Sequence, residues 1–171
     1  MKKLIVPICI LLFSTSALAQ TRSRTTRAKA TRKQTSAQAN TEARTVGATR
    51  VAEQIKNLTR FVYLLGGVAK GIEQADEAAR RNEASPAALD QNNRNKATVK
   101  ASLQNVREGL DQLEITFRST PGLEQYYLKL AGSAAGAATA EDQAAAGHFD
   151  QAGRTMLGVV NRLTDVLLAM R

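Results

Sequence analysis

The amino-acid sequence predicts an all-α protein, an antiparallel up-down four-helix bundle preceded by a disordered basic tail. Apolar residues recur at alternating spacings of three and four after residue 50, the pattern of helices that face a core. Only 4% of the 171 residues are aromatic and 3 are proline, which argues against a β-sandwich or barrel. Helices are expected at about 49–82, 86–118, 122–146 and 149–170.

The first 19 residues have the pattern of a secretory signal peptide. The pair Lys2-Lys3 precedes an apolar stretch at 4–13, and Ala17-Leu18-Ala19 matches a small-x-small cleavage site. The apolar stretch is shorter than the roughly 20 residues that a transmembrane helix needs. We therefore expect cleavage and export to the periplasm or the cell exterior. Cleavage would remove Cys9, the single cysteine of the chain.

Residues 20–46 are predicted to form the disordered tail, because they carry too little apolar surface to offset the entropy of ordering. Residues 20–50 hold eight basic residues and one acidic residue, whereas 51–171 hold 14 of each. The segment is either a solvated linker or a basic arm that binds anionic polymer without sequence preference. The candidate anion-binding residues are Arg22, Arg24, Arg27, Lys29, Arg32 and Lys33.

The bundle is expected to span residues 47–171, with one apolar stripe on each helix. The first stripe is Val51, Ile55, Leu58, Val62, Leu65, Ala69 and Ile72, widened by Phe61 and Val68. The second is Val99, Leu103, Val106, Leu110, Leu113 and Phe117. The last two are Leu123, Tyr127, Leu130, Ala134 and Ala137, then Phe149, Ala152, Met156, Val159, Leu163, Val166 and Met170.

Two boundaries are left open by the sequence. Residues 90–96 lack apolar side chains and form either an exposed part of the second helix, which we favour, or a loop. The third helix ends at Gly147 or breaks earlier at Thr139. The stretch 144–152 resembles the inter-helix turn of a tetratricopeptide hairpin at Gly147, Phe149 and Ala152. That resemblance implies a tight helical hairpin and assigns no family.

Two pairs of glycines have a small-xxx-small spacing inside predicted helices. Gly67 and Gly71 lie in the first helix, and Gly132 and Gly136 lie in the third. Glycine inside a helix costs about 0.5–1 kcal/mol relative to alanine, so a compensating close contact is expected. The contact is either packing within the monomer or docking of a partner helix.

Side chains off the main stripes are the expected points of contact with other molecules. Among the aromatic residues, Tyr63 and Tyr126 have this position. The acidic residues Glu73, Asp76 and Glu77 have basic neighbours and predict an exposed ion-pair face. Glu108, Asp111 and Glu114 on the second helix have a similar interpretation.

No catalytic, cofactor-binding or metal-binding residue is expected. The single histidine, His148, has no Glu three residues before it and no motif that links it to a nucleophile. The sequence has no phosphate-cradling P-loop and no G-x-G-x-x-G fingerprint. These observations favour a protein that is not an enzyme and carries no cofactor.

The sequence therefore predicts an exported, non-enzymatic binding or structural module whose partner is another envelope or extracellular protein. The alternative is a sequence-independent binder of nucleic acid, lipopolysaccharide or another phosphate-rich surface through the basic tail. A bundle that carries a small apolar ligand is a third hypothesis. The chain is not expected to span a membrane, and its oligomeric state is left open.

Overall fold

A computed structural model describes the backbone of residues 21–171 and the side chains of 36–171. The predicted signal peptide lies outside the described residues. The chain divides into two compact units, 1–38 and 39–171, of which the second is the bundle. The helices are α1 (Thr21–Arg80), α2 (Pro86–Ser119), α3 (Glu124–Leu130), α4 (Ser133–Ala145) and α5 (Phe149–Ala169).

The second unit is the predicted all-α antiparallel bundle, in which α3 and α4 together form the third rod. Contacts between neighbouring helices join residues in opposite sequence order: Gln54 lies near Gly109, whereas Asp76 bonds Asn92. Within residues 21–171, no helix combines the length and apolarity that a bilayer crossing requires.

The core confirms the four predicted apolar stripes. Every residue of the four stripes, and Phe61 beside the first, is either buried or packed against the buried cluster. Val68, which was predicted to widen the first stripe, is 38% exposed and is not part of the core. Leu58, Leu103, Leu130 and Met156 have no exposed surface, one from each rod. Because the stripes repeat at the helical period, each rod presents one continuous apolar edge to the core.

Helix α1 begins at Thr21, far before the predicted start near residue 49. The preceding stretch, 21–48, holds six alanines and five arginines, which favour helix, beside seven threonines, which favour it less. Ala43 packs against the core, and Gly47 is buried beside Leu123 and Met170. The disorder predicted up to residue 46 is therefore wrong from Ala39 onward. The linker and basic-arm interpretations of the earlier residues stay predictions.

The start of α2 confirms the predicted cap. The Ser85 hydroxyl accepts a 3.2 Å hydrogen bond from the Ala88 amide, and Pro86 occupies the first helical position. Residues 90–96 are helical, which confirms the favoured one of the two alternatives, helix or loop. Asn92 within them is buried, with only 4% of its surface exposed.

The predicted third helix is interrupted at Ala131-Gly132, and this corrects the placement of Gly132 inside a helix. Gly132 has a φ of +88°, which glycine adopts without strain. Arg162 Nη1 donates to the Ala131 carbonyl at 2.8 Å, and Glu114 Oε1 accepts from the Ala134 amide at 3.0 Å. The break therefore has its exposed backbone groups satisfied by α2 and α5.

Helix α4 ends at the turn predicted around Gly147, and the alternative break at Thr139 is wrong. Gly147 has a φ of +84°, its amide donates to Ala144, and the His148 amide donates to Gln143. This pair of bonds is a Schellman motif. Phe149 and Ala152, which follow the turn at the start of α5, are buried. The predicted tight helical hairpin is therefore confirmed.

Two glycine substitutions should have opposite effects on the free energy of unfolding. A Cβ at Gly136 would lie 2.7 Å from Val159 Cγ2, so Gly136→Ala should destabilise the fold by about 1–3 kcal/mol. At the exposed Gly158 no described atom lies within 4 Å, so Gly158→Ala should stabilise it by about 0.5–1 kcal/mol. Denaturant unfolding measures both, and equal effects would contradict the packing described.

Candidate protein-docking surface

Helix α1 has a second seam of residues on the side away from the core. The core seam of α1 contains Leu58, Leu65 and Ile72, whereas the second seam repeats at spacings of four and three in the same helix. We call it the α1 outer face and define it as Arg60, Tyr63, Leu64, Gly67, Lys70, Gly71 and Gln74. All seven residues are exposed.

Two large apolar side chains on the α1 outer face lie open to solvent. Tyr63 is 83% exposed and Leu64 is 57% exposed. Burying a leucine side chain stabilises an assembly by about 1.5–3 kcal/mol, so adjacent exposed apolar groups favour a contact.

The glycines of the α1 outer face leave its surface flat. A Cβ built on Gly67 or Gly71 has no described atom within 4 Å, and the same holds for Gly66 beside them. Packing within the monomer therefore does not explain the first of the two glycine pairs, Gly67 and Gly71. The surface can accept the close approach of another backbone.

Shallow grooves flank the α1 outer face on both sides. The groove toward α2 has a volume of about 200 Å³ and includes Leu64 and Val68 on α1 and Thr98 on α2. The groove toward α5 also has a volume of about 200 Å³ and includes Gly66 and Leu157. The apolar surface thus extends past the helix on either side.

The second predicted glycine pair lies elsewhere. Gly136 is a close-packing position, since Val159 of α5 occupies the space that a side chain would need. Gly132 lies in the turn between α3 and α4, with Arg162 Nη1 only 2.6 Å from its ideal Cβ position. Both glycines act within the monomer, and neither belongs to the α1 outer face.

The tyrosine predictions divide in the same way. Tyr63 is exposed, as predicted. The prediction that Tyr126 is a surface contact is wrong, because only 9% of its surface is exposed. Leu64 was missed, although the spacing of Arg60, Leu64, Gly67, Gly71 and Gln74 was a signal for a second seam.

The predicted anion-binding residues lie in the first part of α1, before the side chains that the structure describes. These residues are Arg22, Arg24, Arg27, Lys29, Arg32 and Lys33. The structure brings none of their side chains into a described site.

A polar cluster joins α1 to α2 at one end of the bundle. Asp76 Oδ1 accepts hydrogen bonds from Asn92 Nδ2 and Lys96 Nζ, both at 2.6 Å. Asp76 is therefore ion-paired and partly exposed, as predicted, but its partner is Lys96 of α2 and not a basic neighbour on α1. Glu77 pairs with Arg81 on the exposed surface, as predicted. Asn92 Oδ1 is buried without a hydrogen-bond partner among the described residues.

The same end of the bundle also contains a cavity. A cavity of about 440 Å³ is bordered by Asp76, Lys96 and Lys100 and by the end of α4. His148 is exposed in the turn before α5. Among residues 36–171, no group of three or more His, Cys, Asp or Glu side chains is placed to hold a metal ion.

Asp76→Ala should lower the free energy of unfolding by about 1–3 kcal/mol, because it leaves the buried Asn92 amide nitrogen without its acceptor. Asn92→Leu in the same chain should recover part of that loss. Glu77→Ala is the matched control, since its pair with Arg81 is exposed and is worth less than about 1 kcal/mol. Equal losses for Asp76→Ala and Glu77→Ala in urea unfolding would refute this role of the cluster.

Comparisons of the chain with family models, with curated proteins and with solved structures gave no match.

Proposed function

We propose that this chain is an exported, non-enzymatic helical-bundle module that acts by binding a partner protein, in the cell envelope or outside the cell, through the α1 outer face. The observation that carries the proposal is the exposure of Tyr63 and Leu64 beside glycines whose outward space is unfilled. Export is inferred from the signal-peptide pattern of residues 1–19.

The energetics of α1 support a docking role. Three exposed glycines, Gly66, Gly67 and Gly71, each weaken the helix by about 0.5–1 kcal/mol relative to alanine. No side chain of the bundle gains space from them. A partner that packs closely over them would offset that loss and would bury Tyr63 and Leu64.

The non-enzymatic part of the proposal rests on the chemistry available. The sequence pairs its single histidine with no nucleophile motif, and it has no nucleotide-binding fingerprint. His148 is exposed, so it has no protected site in which to act.

Photo-crosslinking in the native compartment tests the docking role. A photoreactive residue in place of Tyr63 should give a protein adduct of defined mass. The matched control is the same residue in place of Leu128, which is 82% exposed but lies on α3. Adducts from both positions in similar yield, or from neither, would contradict a contact through the α1 outer face.

A second candidate function is binding of an anionic polymer by the basic segment. The observation in its favour is the excess of seven positive charges between residues 20 and 50, against none between 51 and 171. Such binding would proceed by counterion release and would weaken steeply with salt. The segment has no aromatic residue for base stacking, so it would not read sequence.

Glutamine in place of the six basic residues from Arg22 to Lys33 should abolish salt-sensitive retention on a phosphate matrix. Each phosphate that the segment no longer neutralises should make the slope of log affinity against log salt shallower by about 0.7–0.9. The control replaces six exposed basic residues of the bundle: Lys56, Arg94, Lys100, Arg118, Lys129 and Arg154. Unchanged retention of the first variant would eliminate this function.

A further inference from the structure

We propose that the protein docked on the α1 outer face is a second copy of this chain, whose α1 packs antiparallel on the first with Gly67 at the two-fold axis. The proposal rests on the proposed docking function and names its partner. It follows from the order of large, small and charged residues along α1. A symmetric dimer uses one patch twice, so the patch must complement itself.

The α1 outer face complements itself in size. In an antiparallel pair centred on Gly67, each residue faces the one equally distant on the other side of Gly67. Tyr63 then faces Gly71, so the bulky ring of one copy enters the gap left by the missing side chain of the other. Leu64 faces Lys70, whose aliphatic stem can cover it. Both contacts occur twice by symmetry.

Charge selects the same orientation. Antiparallel pairing places Arg60 opposite the uncharged Gln74 and Lys70 opposite Leu64, so no like charges of the α1 outer face lie directly opposite each other. Parallel pairing in register would place Arg60 on Arg60 and Lys70 on Lys70, and would set Tyr63 against Tyr63. Like charges at close range cost binding energy. The second copy therefore pairs antiparallel.

A substitution at Gly67 can disrupt the proposed dimer without disturbing the fold of the monomer. Gly67→Leu has room in the monomer, because no described atom lies within 4 Å of the added Cβ, but it blocks the closest point of the dimer. Sedimentation should show a dimer for the unchanged protein and a dissociation constant raised at least about tenfold for Gly67→Leu. Gly158→Leu, equally exposed on α5, is the control and should leave the dimer intact.

Cysteine crosslinking tests the orientation in a background of Cys9→Ser, which removes the single native thiol. Gly67→Cys should form a disulfide dimer at the axis. Tyr63→Cys should crosslink to Gly71→Cys in a mixture more readily than either variant crosslinks to itself. Self-crosslinking of each variant in preference to the mixture would indicate a parallel pair and overturn the orientation.

The remaining outcomes are also decisive. A protein that stays monomeric at 100-fold above the concentration used for crosslinking, or a dimer insensitive to Gly67→Leu, overturns self-pairing. If Tyr63 then still yields an adduct with a different protein, the docking function stands and only the second copy is refuted. If Tyr63 yields no adduct of either kind, both proposals fail.

Discussion

The bundle depends on the burial of four apolar seams in one shared core. An isolated helix is marginally stable in water, and most helical stability in proteins comes from packing of an apolar face. Here the seams of α1, α2, α3 with α4, and α5 meet at side chains without exposed surface, such as Leu58, Leu103, Leu130 and Met156. Because every rod carries such a seam and short turns join consecutive rods, the rods pack side by side and adopt the antiparallel order.

Within that core, the interruption of the third rod costs little because neighbouring helices satisfy it. The backbone groups around Ala131 and Gly132 bond to Arg162 of α5 and Glu114 of α2. The Ser133 hydroxyl, fully buried, donates to the Leu130 carbonyl at 2.7 Å. The break thus ties three rods together, although the sequence predicted that Glu114 would lie on an exposed ion-pair face.

The two glycine pairs show a limit of what can be inferred from local sequence. Gly67 and Gly71 have the same spacing as Gly132 and Gly136, and the sequence offers no means to rank the two pairs. The structure separates them: Val159 and Arg162 fill the space at the second pair, whereas the space at the first pair is open. The candidate docking surface follows from this difference, because the atoms around a glycine decide whether it allows close packing within the monomer or leaves space for another molecule.

The sequence by itself determined the fold class, the core residues, the cap at Ser85 and the hairpin at Gly147, because periodicity and capping are local properties of the chain. Tertiary structure decided the break at Gly132, the early start of α1, the burial of Tyr126 and the exposure of the α1 outer face. The break and the packing of α1 at Gly47 depend on side chains distant in sequence: Arg162 and Glu114 satisfy the break, and Leu123 and Met170 cover Gly47. Such contacts leave no periodic signal in the segment that they stabilise.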